Sequence, residues 1–386
     1  MGAWNRGLRA GLTMGLALLL TLLACAVPAA PGASQPPAAG PAATSPAAPA
    51  APTPAAGPAD SAAPSGGSGR AAPAEPAHVR MMVTGQGNES SLYVALERGY
   101  FRDEGLDLEL VPFDAGPKAI PALGTGDLDL GIGSVGPGLY NAVERGIALR
   151  VVAPVARLTP ESGGVAFMVR KPLLDSGEIR TPADLRGRRI AVAALASGNE
   201  YIVERLLLQN GLQAGDVEWV ELSFPDMGAA FSNGNIDAAL VADPNGTLYA
   251  ERGWATKWLT AAQIVPNIQL TFLLFSERFA TERGDVPVRW LTAYLRGARA
   301  WQTMLDTGEG RDEMLGYLVK HTALKDRALL ERIALTQPAL DGKIDVDGLR
   351  QQAAWARERG YISQDPPLDR MLYPAPFEAA LARLGQ

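Results

Sequence analysis

The segment LGTGDLDLGIGS, residues 123–134, is repeated in outline as FSNGNIDAALVAD at residues 231–243. In both segments a helix is predicted to end at a glycine, an aspartate opens a short apolar strand, and a small or polar residue closes that strand. Two similar α/β lobes would produce such a pair, with the carboxyl ends of their strands facing one shared crevice. A common helix-to-strand connection that occurs twice by chance would also produce it.

Short apolar runs alternate with amphipathic helical segments from about residue 79 to residue 286. This alternation predicts βα units, with mostly parallel sheets covered by helices on both faces. After residue 286 the pattern is that of nearly continuous helix. Glu-Arg-Gly occurs four times as a predicted helix end, and its glycine suits a left-handed conformation at Gly99, Gly146, Gly253 and Gly360. The predicted strands are residues 79–84, 106–113, 128–134, 149–155, 165–170, 188–194, 217–222, 236–242 and 270–276.

The composition excludes several classes of function. The 386 residues include 35 Lys and Arg against 41 Asp and Glu, a net charge of −6, whereas a nucleic-acid binder needs a basic face. A single cysteine excludes a disulfide framework and a multi-thiolate metal or iron–sulfur site. Two histidines leave little material for a zinc centre or for histidine catalysis. We therefore expect no metal, no cofactor and no nucleic-acid partner.

Residues 1–24 are predicted to be an export signal. Arg6 and Arg9 precede the apolar run GLTMGLALLLTLLA, which is shorter than the roughly 20 residues that span a bilayer. The sequence LLAC at residues 22–25 resembles the bacterial lipobox. This resemblance implies acylation of Cys25 and anchoring at the extracytoplasmic face of the cell membrane. Ordinary secretory cleavage is the alternative.

Residues 25–78 are predicted to be a disordered tether that carries the lipidated Cys25. Residues 26–77 contain 21 Ala and 13 Pro, and such a segment cannot bury enough apolar surface to offset the entropy of ordering it. Polyproline II character is expected, which would hold a globular head above the membrane. A low-complexity insertion is the alternative, and it is compatible with the same mechanical role.

The part of the chain that follows the tether, residues 79–386, resembles a known family of receptors. The segments ALERGYFRDEGLDLEL, ALGTGDLDLGIGS, NAVERGIALRVVA, TPADLRGRRIAVAALASGNEYIVERLLLQNGL and GNIDAALVADP follow one another in order. Together they resemble the solute-binding proteins of ABC importers in the NMT1/THI5-like superfamily, the nitrate, sulfonate, taurine and thiamine-pyrimidine group. The resemblance covers about residues 79–382.

The resemblance implies a type II periplasmic-binding-protein fold, an α/β architecture with two lobes, a central ligand cleft and two hinge crossovers. We place the crossovers near residues 165–172 and 266–274, with lobe one at 79–168 plus 271–386 and lobe two at 169–270. The implied protein is a monomeric, membrane-anchored receptor. It captures a small solute by hinge closure and delivers it to the permease and ATPase subunits of an importer.

Candidate ligand contacts lie on the turn that follows the predicted strand RRIAVAA. Ser197, Gly198 and Asn199 open a helix there, where backbone N–H groups and the helix dipole suit an oxygen-rich or anionic group. The resemblance also places ligand contacts on this turn. Ser134 ends a strand and precedes a helix in the same way. In both cases the alternative is a helix cap with no ligand.

The resemblance places the polar loop after the first predicted strand at the cleft. Gln86, Asn88 and Tyr93 are therefore candidate contacts, although a tyrosine in a helix is more often a core residue. Phe224 stands at a predicted strand end, where its ring is suited to stacking on a planar solute.

Three acidic residues follow predicted strand ends and bear on the class of solute: Asp114, Asp226 and Asp243. A desolvated carboxylate repels a sulfonate or nitrate and accepts hydrogen bonds from ring N–H groups. This favours a neutral or amine-bearing heterocycle, such as a thiamine-pyrimidine precursor or a flavin. A sulfonate, taurine or nitrate is the alternative, because each aspartate is also a common turn former. Asp114 and Asp243 are counted among the candidate contacts.

Two functions other than solute delivery are compatible with the same family resemblance. The superfamily includes pyrimidine-synthesis enzymes that carry a cysteine-rich iron-site motif and catalytic histidines, whereas residues 79–386 contain no cysteine. We therefore expect that the protein is not an enzyme. An extracellular sensor or adhesion module that never delivers a solute is the remaining alternative, and gene neighbourhood separates it from an importer component.

Overall fold

The computed structural model describes residues 75–113, 116–160 and 164–385. These residues belong to one compact unit that spans Arg70–Gln386. The predicted signal, the tether up to residue 74, Cys25 and Asp114 lie outside the described residues. Among those that are described, no helix is long and apolar enough to cross a membrane.

Twelve strands are found in the described residues. They are β1 (Ala77–Val83), β2 (Leu106–Pro112), β3 (Leu130–Gly133), β4 (Leu149–Pro154), β5 (Ala156–Arg157), β6 (Val165–Arg170), β7 (Arg189–Val192), β8 (Glu218–Glu221), β9 (Ala238–Ala242), β10 (Ala255–Thr260), β11 (Phe272–Ser276) and β12 (Gln337–Pro338). All nine predicted strands are confirmed, whereas β5, β10 and β12 were not predicted.

Sixteen α-helices accompany these strands in the described residues. They are α1 (Ser90–Glu97), α2 (Tyr100–Asp103), α3 (Ile120–Thr125), α4 (Pro137–Glu144), α5 (Lys171–Asp175), α6 (Gly198–Gln209), α7 (Phe224–Ser232), α8 (Asn245–Glu251), α9 (Ala261–Ile264), α10 (Glu277–Glu282), α11 (Val286–Thr307), α12 (Arg311–His321), α13 (Arg327–Arg332), α14 (Val346–Glu358), α15 (Leu368–Met371) and α16 (Ala375–Arg383). The glycines of the four Glu-Arg-Gly sequences all have positive φ, which confirms the predicted helix ends.

The two large sheets have the same strand order. The first is β2-β1-β3-β11-β4, and the second, counted from its other edge, is β8-β7-β9-β6-β10. In the first sheet β1 lies between β2 and β3 and is parallel to both, and in the second sheet β7 lies between β8 and β9 and is parallel to both. The next strand, β11 or β6, is antiparallel to β3 or β9, respectively. We call the half built on the first sheet lobe one and the half built on the second sheet lobe two.

The chain passes between the sheets twice. It enters lobe two at β6 and returns to lobe one at β11, while β5 and β12 form a separate two-stranded ribbon. The sequence-based boundary at residue 168 falls inside β6, all of which lies in the second sheet. The boundary at residue 270 falls between β10 and β11.

One apolar cluster contains side chains from both lobes. Met82 and Val151 of the first sheet belong to it, as do Phe167 and Ile190 of the second, and none of the four has exposed surface. Leu349 of α14 is part of the same cluster. Strands buried on both faces explain why the sequence shows continuous apolar runs rather than alternation.

The long helix α11 positions α1, the helix that begins beside the cleft. Gly297 of α11 faces Ser91 and Ala95 of α1, and a Cβ atom at residue 297 would lie 2.3 Å from the Ser91 carbonyl oxygen. Only glycine allows the two helices to approach this closely.

Candidate functional site

A cavity of about 480 Å³ lies between the two lobes. Its walls are built from residues that directly follow the carboxyl ends of strands in both sheets. Thr84 follows β1 and Ser134 follows β3 in lobe one, while Ala193 follows β7 and Asp243 follows β9 in lobe two. This is the edge at which open α/β sheets bind ligands.

The lobe-one turn is fixed by a buried carboxylate. Glu89 has no exposed surface, and its carboxylate accepts the backbone N–H groups of Thr84, Gly85 and Gln86 at 2.7, 2.9 and 3.2 Å. The hydroxyl of Tyr93 also donates to Glu89, at 2.5 Å. Burial, together with the charge of Glu89, raises the pKa of Tyr93, so the phenol stays protonated and donates this bond.

The lobe-two turn has the same construction. Ser197 caps α6, because its hydroxyl accepts the N–H group of Asn199 at 3.2 Å and donates to the carbonyl of Ala194 at 2.6 Å. Glu200 has no exposed surface and accepts the N–H group of Ala196 at 2.7 Å. A carboxylate in the first turn of α6 thus fixes the loop that precedes the helix.

Glu200 is connected to lobe one by the segment that follows α14. The hydroxyl of Tyr361 donates to Glu200 at 2.7 Å, and the guanidinium of Arg359 lies 3.1 Å from the same carboxylate. The side-chain amide of Asn141, in α4 of lobe one, donates to the Tyr361 carbonyl at 2.9 Å. Burial and the bond to Glu200 raise the pKa of Tyr361, which keeps its hydroxyl a donor.

The two turns are repeats of each other in sequence and in backbone conformation. Gly-Asn-Glu occurs at residues 87–89 and again at residues 198–200. Two positions before each Gly-Asn-Glu the backbone is left-handed, with φ of 67° at Gly85 and 51° at Ala196. Sequence reasoning missed both glutamates, although the repeated tripeptide was a signal that could have revealed them.

The structure brings most of the predicted contact residues together around this one cavity. Tyr93 does not line it, because its side chain lies behind the lobe-one turn and stacks on His321 with ring centroids 4.8 Å apart. Asp114 lies outside the described residues. The predicted residues that line the cavity are Gln86, Asn88, Ser134, Ser197, Gly198, Asn199, Phe224 and Asp243.

The acidic residues do not make the cavity repel anions in the way expected from the sequence. The side chain of Asp243 is only 4% exposed, and Lys257 Nζ lies 2.9 Å from its Oδ1 atom, so its charge is balanced. Asp226 is in the first turn of α7, where its N–H group donates to Ser223, and it does not line the cavity. The sequence argument for a neutral or amine-bearing heterocycle therefore loses the support of these two residues.

Several lining residues were not predicted because they come from segments distant in sequence. Arg157 lies in β5 and pairs with Asp341 at 2.9 Å. Thr336 and Gln352 come from the carboxyl-terminal part of the chain, for which nearly continuous helix but no solute contact was predicted. In the described residues no group of three or more His, Cys, Asp or Glu side chains is placed to hold a metal ion.

The family model described as "NMT1/THI5 like" matches residues 86–306, which is more than half of the chain. The chain belongs to the NMT1/THI5-like family. This confirms the resemblance found in the sequence.

Two curated relatives of this NMT1/THI5-like protein illustrate the range of solutes. An Escherichia coli K12 protein named for binding aliphatic sulfonates is 32% identical over 249 residues, covering 63% of this chain and 72% of that protein. The formylaminopyrimidine-binding protein of Halalkalibacterium halodurans is 25% identical over 246 residues, covering 63% of this chain and 69% of that protein. Both relatives are binding proteins rather than enzymes.

A solved structure supports the fold. The ligand-binding component of an ABC-type import system from Staphylococcus aureus superposes with a TM-score of 0.63 at 18% identity, covering 79% of this chain and 99% of that one. At this identity the likeness shows the fold alone. The fold is the two-lobed α/β fold of periplasmic binding proteins, as expected from the sequence.

Proposed function

We propose that this protein is the solute-binding component of an ABC importer and that its solute is a small organosulfonate. The observation that carries the proposal is the cavity between the lobes, which the two Gly-Asn-Glu turns face from opposite sides. A solute that contacts both turns stabilises the closed form of the protein. The permease of the importer then recognises this closed form. The family relationship and the relative named for aliphatic sulfonates support the same solute class.

The charges around the cavity are compatible with an anionic head group. The carboxylate of Asp243 is paired with Lys257, and Arg157, which pairs with Asp341, is among the lining residues. The first turn of the twelve-residue helix α6 also faces the cavity, and the positive end of a helix dipole favours a negative group. We propose solute contacts by Gln86, Asn88, Ser134, Ser197, Gly198, Asn199 and Phe224, with Asp243 shaping the wall.

A thiamine-pyrimidine precursor is the second candidate solute. Phe224 lines the cavity, where its ring could stack on a pyrimidine, and the carboxamides of Gln86 and Asn88 match ring N–H and N acceptors. The formylaminopyrimidine-binding relative favours this candidate, although its identity to this chain is lower.

Thermal-shift titration of the purified protein separates the two candidates. The probes are ethanesulfonate, taurine, nitrate and formylaminopyrimidine. A solute present at about 100 times its dissociation constant adds about 2.7 kcal/mol to the free energy of unfolding, which is readily measured. We expect stabilisation by the sulfonates. Stabilisation by the pyrimidine alone would establish the second candidate.

Closure of the lobes is tested in solution. Small-angle scattering of the purified protein should show a smaller radius of gyration with the stabilising sulfonate than without it. Identical scattering in the presence of a saturating, calorimetrically confirmed solute would exclude hinge closure.

We propose, from the sequence alone, that Cys25 is lipidated and anchors the protein at the extracytoplasmic face of the cell membrane. The expected result of Cys25→Ser is release of the protein from the membrane fraction of its host. Unchanged membrane association of that variant would contradict the anchor while leaving the solute-binding proposal intact.

A further inference from the structure

The helix α14 contributes a polar side chain to the floor of the cavity. Its buried face consists of Leu349, Gln352, Ala353, Trp355 and Ala356, so one carboxamide lies among apolar side chains. Gln352 is 7% exposed, and it lines the cavity between the lobes. The preceding residue, Gln351, is on the exposed face of the same helix.

The carboxamide of Gln352 lies beside the lobe-two turn. A Cβ atom built on Gly198 would be 3.8 Å from Gln352 Oε1 and 2.9 Å from the Cδ2 atom of Leu270. Gly198, Leu270 and Gln352 therefore meet at one point of the cavity wall, at the first turn of α6.

The carboxamide has no hydrogen-bond partner within the described part of the chain, and it is not among the fully buried unpartnered groups, so its polar atoms reach the cavity. An amide that opens onto a cavity without a protein partner is free to bond to water or to a molecule bound there. A leucine or methionine in the same place would match its apolar neighbours on α14. The glutamine is explained if its partner is the solute.

We propose that Gln352 is a specificity-determining residue whose carboxamide donates a hydrogen bond to the head group of the solute. The inference rests on the proposed function and deepens it: the sulfonate oxygens lie between Gln352 and the turn Ser197–Asn199. The site then has a third wall, which comes from the carboxyl-terminal part of the chain and belongs to neither repeated turn.

The decisive comparison is between Gln352→Met and Gln351→Met. Methionine has nearly the volume of glutamine and no hydrogen-bonding amide, so the first variant removes only the polar contact. We expect the affinity for ethanesulfonate, measured by calorimetry, to fall about 10- to 100-fold in Gln352→Met, as for loss of a bond to a charged group. Gln351→Met should bind like the unaltered protein.

The stability of Gln352→Met to urea, measured without solute, distinguishes a solute contact from a structural role of Gln352. Because the carboxamide makes no hydrogen bond within the described part of the chain, Gln352→Met loses no protein contact and should unfold at the same or a higher urea concentration. A glutamine that only supports local packing would give the opposite result, a less stable variant with unchanged affinity. That result would overturn the proposal.

Gln352→Glu tests the charge of the head group. A carboxylate beside a sulfonate is repulsive, so this variant should bind ethanesulfonate more weakly than Gln352→Met does. Tighter binding by Gln352→Glu would contradict the proposed contact with an anionic group. If the unaltered protein bound neither ethanesulfonate nor taurine, the proposed function would fail, while the unfolding comparison would still decide whether Gln352 is a structural residue.

Discussion

Asp129 and Asp237 immediately precede β3 and β9, the third strands of the two sheets. Asp129 accepts the backbone N–H group of Arg80 in β1 at 2.9 Å, and Asp237 accepts that of Arg189 in β7 at 3.0 Å. An arginine pairs with each carboxylate, Arg283 with Asp129 and Arg189 with Asp237. The two aspartates therefore join neighbouring strands at the end of each sheet opposite the cavity.

The ion pair of Asp237 predicts a dependence of stability on pH. Burial alone would raise the pKa of Asp237, but the side chain and backbone N–H of Arg189, with Arg170 nearby, hold that pKa below its usual range. A carboxyl group with a lowered pKa stabilises the fold above its unfolded-state pKa, near 3.9, and this contribution is lost as the pH falls through the folded-state value.

Asp237→Asn should accordingly lower the free energy of unfolding by about 2 kcal/mol near neutral pH, and the deficit should shrink below about pH 4. Urea unfolding across this range measures it. Asp175→Asn is the control, because Asp175 forms an exposed pair with Lys171 that contributes little. A deficit that is constant with pH would show that the charge of Asp237 is not what stabilises the fold.

The left-handed residues of the two turns allow a reciprocal test. Ala196 adopts φ of 51°, a conformation that is unfavourable for alanine, whereas Gly85 adopts φ of 67° at the equivalent position. Ala196→Gly should raise the free energy of unfolding by up to about 1 kcal/mol, and Gly85→Ala should lower it by a similar amount. Chemical denaturation of both variants measures the changes.

Ala229→Gly is the matched control for this pair. Ala229 is an exposed residue inside α7, where glycine is unfavourable by about 0.5–1 kcal/mol. Destabilisation by Ala196→Gly as large as that of the control would contradict the strain inferred at Ala196.

Among the elements, the contact between α1 and α11 leaves no room for a side chain at residue 297. Gly297→Ala would place a methyl group 2.3 Å from the Ser91 carbonyl oxygen and 2.7 Å from Ala95 Cβ, so the helices must separate. We expect a loss of about 1–3 kcal/mol, typical of overpacking, together with weaker solute binding because α1 follows the lobe-one turn.

Gly316→Ala is the control for this prediction. Gly316 lies inside α12, and a Cβ atom there has no neighbour within 4 Å. This variant should gain about 0.5–1 kcal/mol, because alanine is the better helix former. Thermal unfolding of the two variants in parallel distinguishes a packing effect from a general effect of adding a methyl group in a helix. Equal stabilities would contradict the packing argument.

The strands and helix ends that could be predicted are those determined by residues within their own segment of the sequence. The core strands were predicted because strands buried on both faces are continuous apolar runs. The Glu-Arg-Gly helix ends were predicted because a residue with left-handed backbone favours glycine. The strand β10 was missed because its sequence, ATKWLT, mixes polar and apolar residues at an edge of its sheet.

For the candidate site, the strand-end turns were predictable because they follow recognisable strands. Gln352 was not, because its place at the cavity depends on how α14 packs against residues more than a hundred positions earlier. Tyr93 was a candidate because the resemblance places the loop before its helix at the cleft. The residue that fixes this loop is Glu89, whose role is visible only when its N–H donors are located.

At the scale of the whole molecule, the lobes share an apolar cluster. Met82, Phe167 and Leu349 belong to it although they come from the first sheet, the second sheet and α14. We therefore expect the lobes to unfold in a single cooperative transition. Calorimetry should give one peak with equal calorimetric and van't Hoff enthalpies, and two resolved peaks would show that the shared cluster does not couple the lobes.

The repeated turn presents a similar set of groups from each lobe to the cavity, and this has a consequence for the direction in which a solute lies. A molecule with two like ends, such as an alkane disulfonate, would meet similar groups whichever way round it entered. Arg157 and Gln352 are outside the repeat and remove that equivalence. If the solute has one charged end and one apolar end, we expect it to bind in a single direction.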